Sequence, residues 1–270
     1  MTYAAAPRPR GPRSNKMLVV EDLQVEFGGV LALAGVSFSV EPGTITSLIG
    51  PNGAGKTTAF NAITGYLRPT RGRVAWQGEP IAGRRPCEIA RRGVVRTFQR
   101  TSVFPTLSVF DNVRTGLHLR GTAGVWSILG RMPRVSAEER RLAAAADEIL
   151  TFVGLDYRRD ERAGELPYGE QRLVELAVAL AARPRLLLLD EPAAGMTGAE
   201  KDRLVALIRK IRGGDVTVLV VEHDMRLVMG ISETVIVLNH GRVIAEGAPA
   251  EMRAHPEVIR AYLGSSDAPA

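Results

Sequence analysis

Cysteine is almost missing from this chain. Cys87 is the only one among 270 residues, which excludes an intramolecular disulfide and a cysteine-rich metal site and suits a reducing compartment. Long apolar runs are missing as well. A membrane-crossing helix needs roughly 18 or more consecutive apolar residues. The nearest candidate, Leu173–Leu189, is broken by Glu175, Arg183 and Arg185, so the chain is not expected to span a bilayer. A clustered basic patch is also lacking. The formal net charge is +6, but Arg8, Arg10, Arg13 and Lys16 all fall in the acid-free first 16 residues, leaving a surplus of two elsewhere. A nucleic-acid binder should carry clustered positive charge on its fold, so no nucleic-acid partner is expected. The basic tail has no apolar stretch after its charges and does not read as a signal peptide. Its Pro/Arg/Ala composition predicts disorder over residues 1–16. No internal repeat is found, and His118, His240 and His255 show no metal-ligand spacing.

What is present reads as a globular α/β chain. Leu18–Val25 alternates weakly and is expected to be an edge strand. Val36–Val40 and Thr44–Ile49 are β-rich runs divided by Glu41-Pro42-Gly43, a turn signal. Lys56–Thr64 reads as a helix, and Gly72–Trp76 and Val94–Phe98 as further strands. From Pro105 to Leu166 no strand pattern occurs, and a helical insertion is expected over about residues 100–180. Within it, Ser136-Ala137-Glu138-Glu139 has the form of a capping box opening a helix to Val153, and Leu173–Ala182 is a second helix. The α/β pattern then returns. Leu186–Leu189 and Val216–Val221 are continuous apolar runs of the kind buried in parallel sheets, with a helix over Thr197–Arg212 between them. Val235–Leu238 and Val243–Glu246 flank Asn239-His240-Gly241 as a hairpin, and a last helix covers Pro256–Leu263.

Two stretches carry chemistry. Gly50-Pro51-Asn52-Gly53-Ala54-Gly55-Lys56-Thr57 fits G-x-x-x-x-G-K-[ST] at every fixed position, between an expected strand and an expected helix. Glycines there let successive N–H groups turn inward around phosphate oxygens, and the helix start adds its positive dipole end. These eight residues, with Thr58 following, are the expected triphosphate cradle. Lys56 is placed to reach the outer phosphates and Thr57 to offer its hydroxyl to Mg²⁺. A dinucleotide fingerprint is excluded because Thr58 stands where its third glycine belongs. The second stretch is Asp190-Glu191, emerging from the apolar run Leu186–Leu189. A carboxylate at such a strand end can hold Mg²⁺, and one beside it can polarise the attacking water. Asp190 is thus the expected metal residue and Glu191 the expected general base.

With these motifs in order, residues 17–264 resemble an ATP-binding-cassette (ABC) transporter ATPase, leaving a short tail over residues 265–270. The resemblance implies a P-loop NTPase core with a mixed sheet, an N-terminal antiparallel β region and an inserted helical subdomain. It also implies ATP and Mg²⁺ as ligands. It assigns Phe27 to stacking on adenine, a position that by residue type alone would more often belong to the core. Gln99 is matched to the glutamine that touches Mg²⁺ or water, and His223 to the switch histidine at the γ-phosphate. Pro167, Tyr168, Gly169 and Glu170 occupy the signature segment, which faces the nucleotide of a second ABC ATPase subunit. Transmembrane permease subunits are implied as direct partners at the cytoplasmic face of the membrane, and an extracytoplasmic solute-binding protein as an indirect one.

Two departures from the family pattern matter. Pro167 and Tyr168 replace a serine and a glycine, and proline has neither N–H nor hydroxyl to offer a phosphate. Thr197 replaces an aspartate, although Thr197-Gly198-Ala199-Glu200 keeps a capping box. The Tyr-Gly signature, Phe27-Gly28-Gly29-Val30, Ala193-Ala194-Gly195-Met196 and the ending Ala261-Tyr262-Leu263-Gly264 resemble the branched-chain amino-acid importer ATPases. Urea or amide import, lipid-type export and a soluble ABC ATPase are the competing readings.

Overall fold

The structure is a computed structural model that describes residues 16–97, 103–117 and 133–263. Strands β1 (Leu18–Phe27) and β2 (Val30–Val40) form an antiparallel hairpin, and β3 (Ile45–Ile49) follows with all five residues buried. Helix α1 (Lys56–Ile63) leads to β4 (Arg71–Trp76), β5 (Glu79–Pro80), α2 (Pro86–Arg91) and β6 (Val94–Arg96). Helices α3 (Val109–Leu117), α4 (Pro133–Val153) and α5 (Tyr168–Ala181) lie between β6 and β7 (Leu186–Asp190). The chain continues through α6 (Gly198–Gly213), β8 (Thr217–Val221), α7 (Met225–Ile231), β9 (Thr234–Asn239), β10 (Arg242–Gly247), α8 (Pro249–Ala254) and α9 (Pro256–Leu263).

Two sheets organise these elements. A four-stranded sheet has the order β2-β1-β4-β5, and a six-stranded mixed sheet the order β10-β9-β3-β8-β7-β6. In the second sheet only β10 runs antiparallel to its neighbour. Strands β3, β7 and β8 are buried at every position, which is why Leu186–Leu189 and Val218–Val221 read as unbroken apolar runs, while β3 also buries Thr46 and Ser47. Each buried leucine of β7 contributes about 1.5–3 kcal/mol by leaving water. One core lies between this sheet and α3, α4, α5 and α6, around Val113, Leu150, Val174, Leu189 and Ile208. A second lies under the four-stranded sheet, around Leu18, Leu33, Phe60, Ile63 and Trp76.

Three local expectations are corrected. The edge assignment for Leu18–Val25 fails: β1 is flanked on both sides, pairing Phe27 with Val30 of β2 and Leu18 with Trp76 of β4. Strand β4 arrives only after α1, so local alternation could not reveal it. Ser136 does not open the helix, because it lies inside α4 (Pro133–Val153). Helix α5 begins at Tyr168 rather than Leu173. Its first turn is mostly polar, so the apolar periodicity starts late, and extended Pro167 (ψ 148) sets the true boundary. By contrast the Thr197 capping box forms as expected: Thr197 accepts the Glu200 N–H, and the Glu200 carboxylate accepts the Thr197 N–H at 2.8 Å.

Candidate functional site

The parallel strands β3, β8 and β7 are neighbours, so their carboxyl ends lie along one edge of the sheet, the usual place for a ligand in α/β folds. The loop Gly50–Gly55 leaves β3, Asp190 and Glu191 end β7, and His223 follows β8. A cleft of ≈ 260 Å³ is lined by Asn52 to Thr58, Ala32 and Glu191.

Backbone geometry forms the cradle. Gly50 (φ 150) passes so close to β9 that an added Cβ would stand 2.1 Å from the Leu238 carbonyl oxygen. Gly55 (φ 103) precedes α1, and a Cβ there would stand 2.8 Å from the Ala32 carbonyl oxygen. No side chain caps α1 at Gly55, which leaves its first N–H groups available to a bound anion. The hairpin turn His240-Gly241, with both φ values positive (45 and 71), supports this loop from behind. Gly241 donates its N–H to the Ala54 carbonyl at 3.0 Å, and its own carbonyl accepts the Ala34 N–H at 2.8 Å. Lys56 is buried, and its Nζ donates to the Gly50 and Pro51 carbonyls at 2.7 and 3.0 Å. Burial pushes its amine below the ordinary value, while Glu191 and Asp190 pull it back up.

Asp190 is almost fully buried, with Oδ2 held by Arg96 Nη2 at 2.6 Å and Oδ1 buried without a hydrogen-bond partner. Glu191 is partly exposed and adopts a left-handed backbone (φ 48), sparsely populated outside glycine. His223 is exposed. Phe27 is 51% exposed at the end of β1, so it does not belong to the core. It pairs with Val30, and Ala32, two residues further along β2, lines the phosphate cleft. Gln99 lies outside the described residues.

The signature segment sits elsewhere, at the start of α5. Pro167 and Tyr168 are exposed, whereas Gly169 is buried against Glu200. The Tyr168 ring covers Gly195, and its hydroxyl accepts from Arg172 Nε at 2.9 Å. Glu170 is engaged within the same chain, by Arg158 Nε at 3.1 Å and by the Tyr157 hydroxyl at 2.9 Å. The structure therefore brings the phosphate loop, the acidic strand end and His223 to one edge and puts the signature segment at the start of α5. Sequence reasoning missed Arg96 and Glu222. The signal for Arg96 was a charge inside the expected strand Val94–Phe98; for Glu222 it was an acid directly after the apolar run Val216–Val221.

This fold and this edge define an ATP-binding cassette, and comparison with known proteins agrees. The family model described as ABC transporter matches residues 33–194, and one described as branched-chain amino acid ATP-binding cassette transporter matches residues 242–268. The chain is 44% identical to the high-affinity branched-chain amino acid transport ATP-binding protein BraF of Pseudomonas aeruginosa, covering 94% of this chain and 100% of that protein. Identity is 41% to the LivG protein of the same description from Escherichia coli, with the same coverage. A crystal structure of an ATP-binding cassette of an ABC transporter in its ADP conformation superimposes with a TM-score of 0.82 at 32% identity, covering 93% of this chain and 100% of that one. The chain belongs to the ABC transporter family as an ATPase subunit of the branched-chain amino acid transporter type. No helix among the described residues is long and apolar enough to cross a membrane.

Proposed function

We propose that this subunit drives import of branched-chain amino acids by closing on a second ABC ATPase subunit, identical or related, at the cytoplasmic face of the membrane. The observation that carries the reading is the convergence of the phosphate loop, Asp190-Glu191 and His223 at one sheet edge. In this reading Phe27 stacks on adenine, and the loop N–H groups from Gly50 to Thr58 with Lys56 hold the phosphates. Lys56 would exchange its two loop carbonyls for phosphate oxygens, which are stronger, charged acceptors. Glu191 takes the proton of the attacking water, and His223 donates to the γ-phosphate as charge develops there.

Thr57, Asp190 and Gln99 are the side chains that would hold Mg²⁺. The unpartnered Asp190 Oδ1 supports this assignment. When bound, Mg²⁺ supplies charge neutralisation for the phosphates. Pro167, Tyr168, Gly169 and Glu170 face the partner's nucleotide in the closed pair. Membrane permease subunits couple closure to transport, and a solute-binding protein outside the membrane selects the cargo.

The relatives' names support the cargo. Its test is uptake by a deletion strain. High-affinity accumulation of labelled leucine, isoleucine and valine is lost, restored by the intact gene and not by Lys56→Ala. Unchanged uptake of all three, with loss of urea or another solute instead, would refute the cargo and keep the importer.

A further inference from the structure

Glu222 is fully buried, and nothing in the proposed hydrolysis uses it. Its carboxylate faces backbone N–H groups from two directions. Oε1 accepts from Ala193 at 2.8 Å, in the segment that follows Glu191. Oε2 accepts from His223 at 3.1 Å and from Asp224 at 3.4 Å, in the segment that follows β8. A buried carboxylate is costly unless its lone pairs are used, and three N–H donors use them here.

The position of these bonds gives them a consequence. Glu191 sits at φ 48, and its N–H donates to the Val221 carbonyl at 2.9 Å. Two residues on, Ala193 donates to Glu222. The left-handed turn is therefore bracketed by bonds to two successive residues at the end of β8. Backbone strain of this kind persists only where the surroundings over-determine it. The same carboxylate also holds the N–H of His223.

We propose that Glu222 is a positioning residue: its carboxylate clamps the turn carrying Glu191 to the segment carrying His223, so that both approach the γ-phosphate from fixed directions. This rests on the reading of Glu191 as the base. Glutamine is isosteric but has only one acceptor oxygen and would aim its NH₂ at an N–H, so Glu222→Gln should loosen the clamp without opening a cavity.

In the assembled transporter, Glu222→Gln is expected to lower kcat about tenfold, the scale of a small misplacement of a reacting group, with the KM for ATP within about twofold. Exchange of the Ala193 amide hydrogen should accelerate about tenfold or more. Added to Glu191→Gln, the same change should slow single-turnover hydrolysis by a smaller factor than it does alone, because one of the two aimed groups is already gone. A loss of equal size on both backgrounds, or a KM that rises as far as kcat falls, would overturn the clamp in favour of a general structural role. If Glu222→Gln does not assemble, the unmodified complex decides: slow exchange at both the Ala193 and His223 amides supports the clamp, and fast exchange at Ala193 overturns it. Normal turnover by Glu191→Gln alone would instead refute the base assignment, and the exchange measurement is independent of that result.

Discussion

Arg96 and Asp190 form a buried ion pair, Nη2 to Oδ2 at 2.6 Å, with 7% and 0% of their side chains exposed. Arg96 also donates to Asn61 Oδ1 at 2.6 Å and lies over the Phe60 ring, with 5.6 Å to its centroid. One guanidinium thus ties the acidic end of β7 to the helix that follows the phosphate loop. Removing it strands a buried charge. Arg96→Met is expected to destabilise the subunit by about 3–5 kcal/mol, read from urea unfolding. Combined with Asp190→Asn, the loss should be smaller than the two single losses added together, because the stranded charge is then absent. Strict additivity would show that the pair is not coupled.

Hydrolysis and binding should separate. Glu191→Gln is expected to bind ATP normally and to slow turnover about 10²-fold or more, the scale of a lost general base. Lys56→Ala should weaken ATP binding about tenfold or more, the scale of a lost hydrogen bond to a charged group. Equilibrium binding and steady-state ATPase assays check both.

Gly169 leaves no room for a side chain, since an added Cβ would stand 2.2 Å from Glu200 Oε1. Glu200 is the returning carboxylate of the Thr197 box, receiving the Thr197 hydroxyl at 2.7 Å. Gly169→Ala should push Glu200 off Thr197 and cost about 1 kcal/mol at the start of α6. ATP binding by the isolated subunit should be unchanged, while ATPase activity of the assembled complex falls. A parallel loss of ATP binding would count against this account.

Asp224 caps α7, accepting from the Arg226 and Leu227 N–H groups at 3.0 and 3.2 Å. Its carboxyl is held below the ordinary value of 3.8, first by the hydrogen bond from Lys201 and then, against burial, by these N–H groups. The folded pKa lies below the unfolded one, so this stabilisation is complete above the unfolded value and is lost as pH falls through the folded one. Asp224→Ala should cost about 1 kcal/mol at pH 7. The gap from the parent protein should narrow only below pH 3.8. Urea unfolding at pH 7, 5 and 3 checks the trend, and a gap already closed at pH 5 would contradict it.

Much of this protein was written locally. The phosphate loop, the acids after Leu186–Leu189 and the Thr197 box each depend on neighbours within a few residues, where backbone conformation, capping and strand burial are decided by short-range sterics and hydrogen bonds. Each could therefore be located in one dimension. Tertiary structure decided whatever needs a partner distant in sequence. Strand β1 became internal because β4 pairs with it across α1. Phe27 was ambiguous between core and surface until the hairpin left it half exposed. Arg96 meets Asp190 at a separation of 94 residues, and Glu222 meets Ala193 at 29. No local period encodes such meetings. They exist because β6, β7 and β8 are adjacent parallel strands, and that adjacency is fixed by packing continuous apolar strands between the helical layer on one face and α1 with the four-stranded sheet on the other.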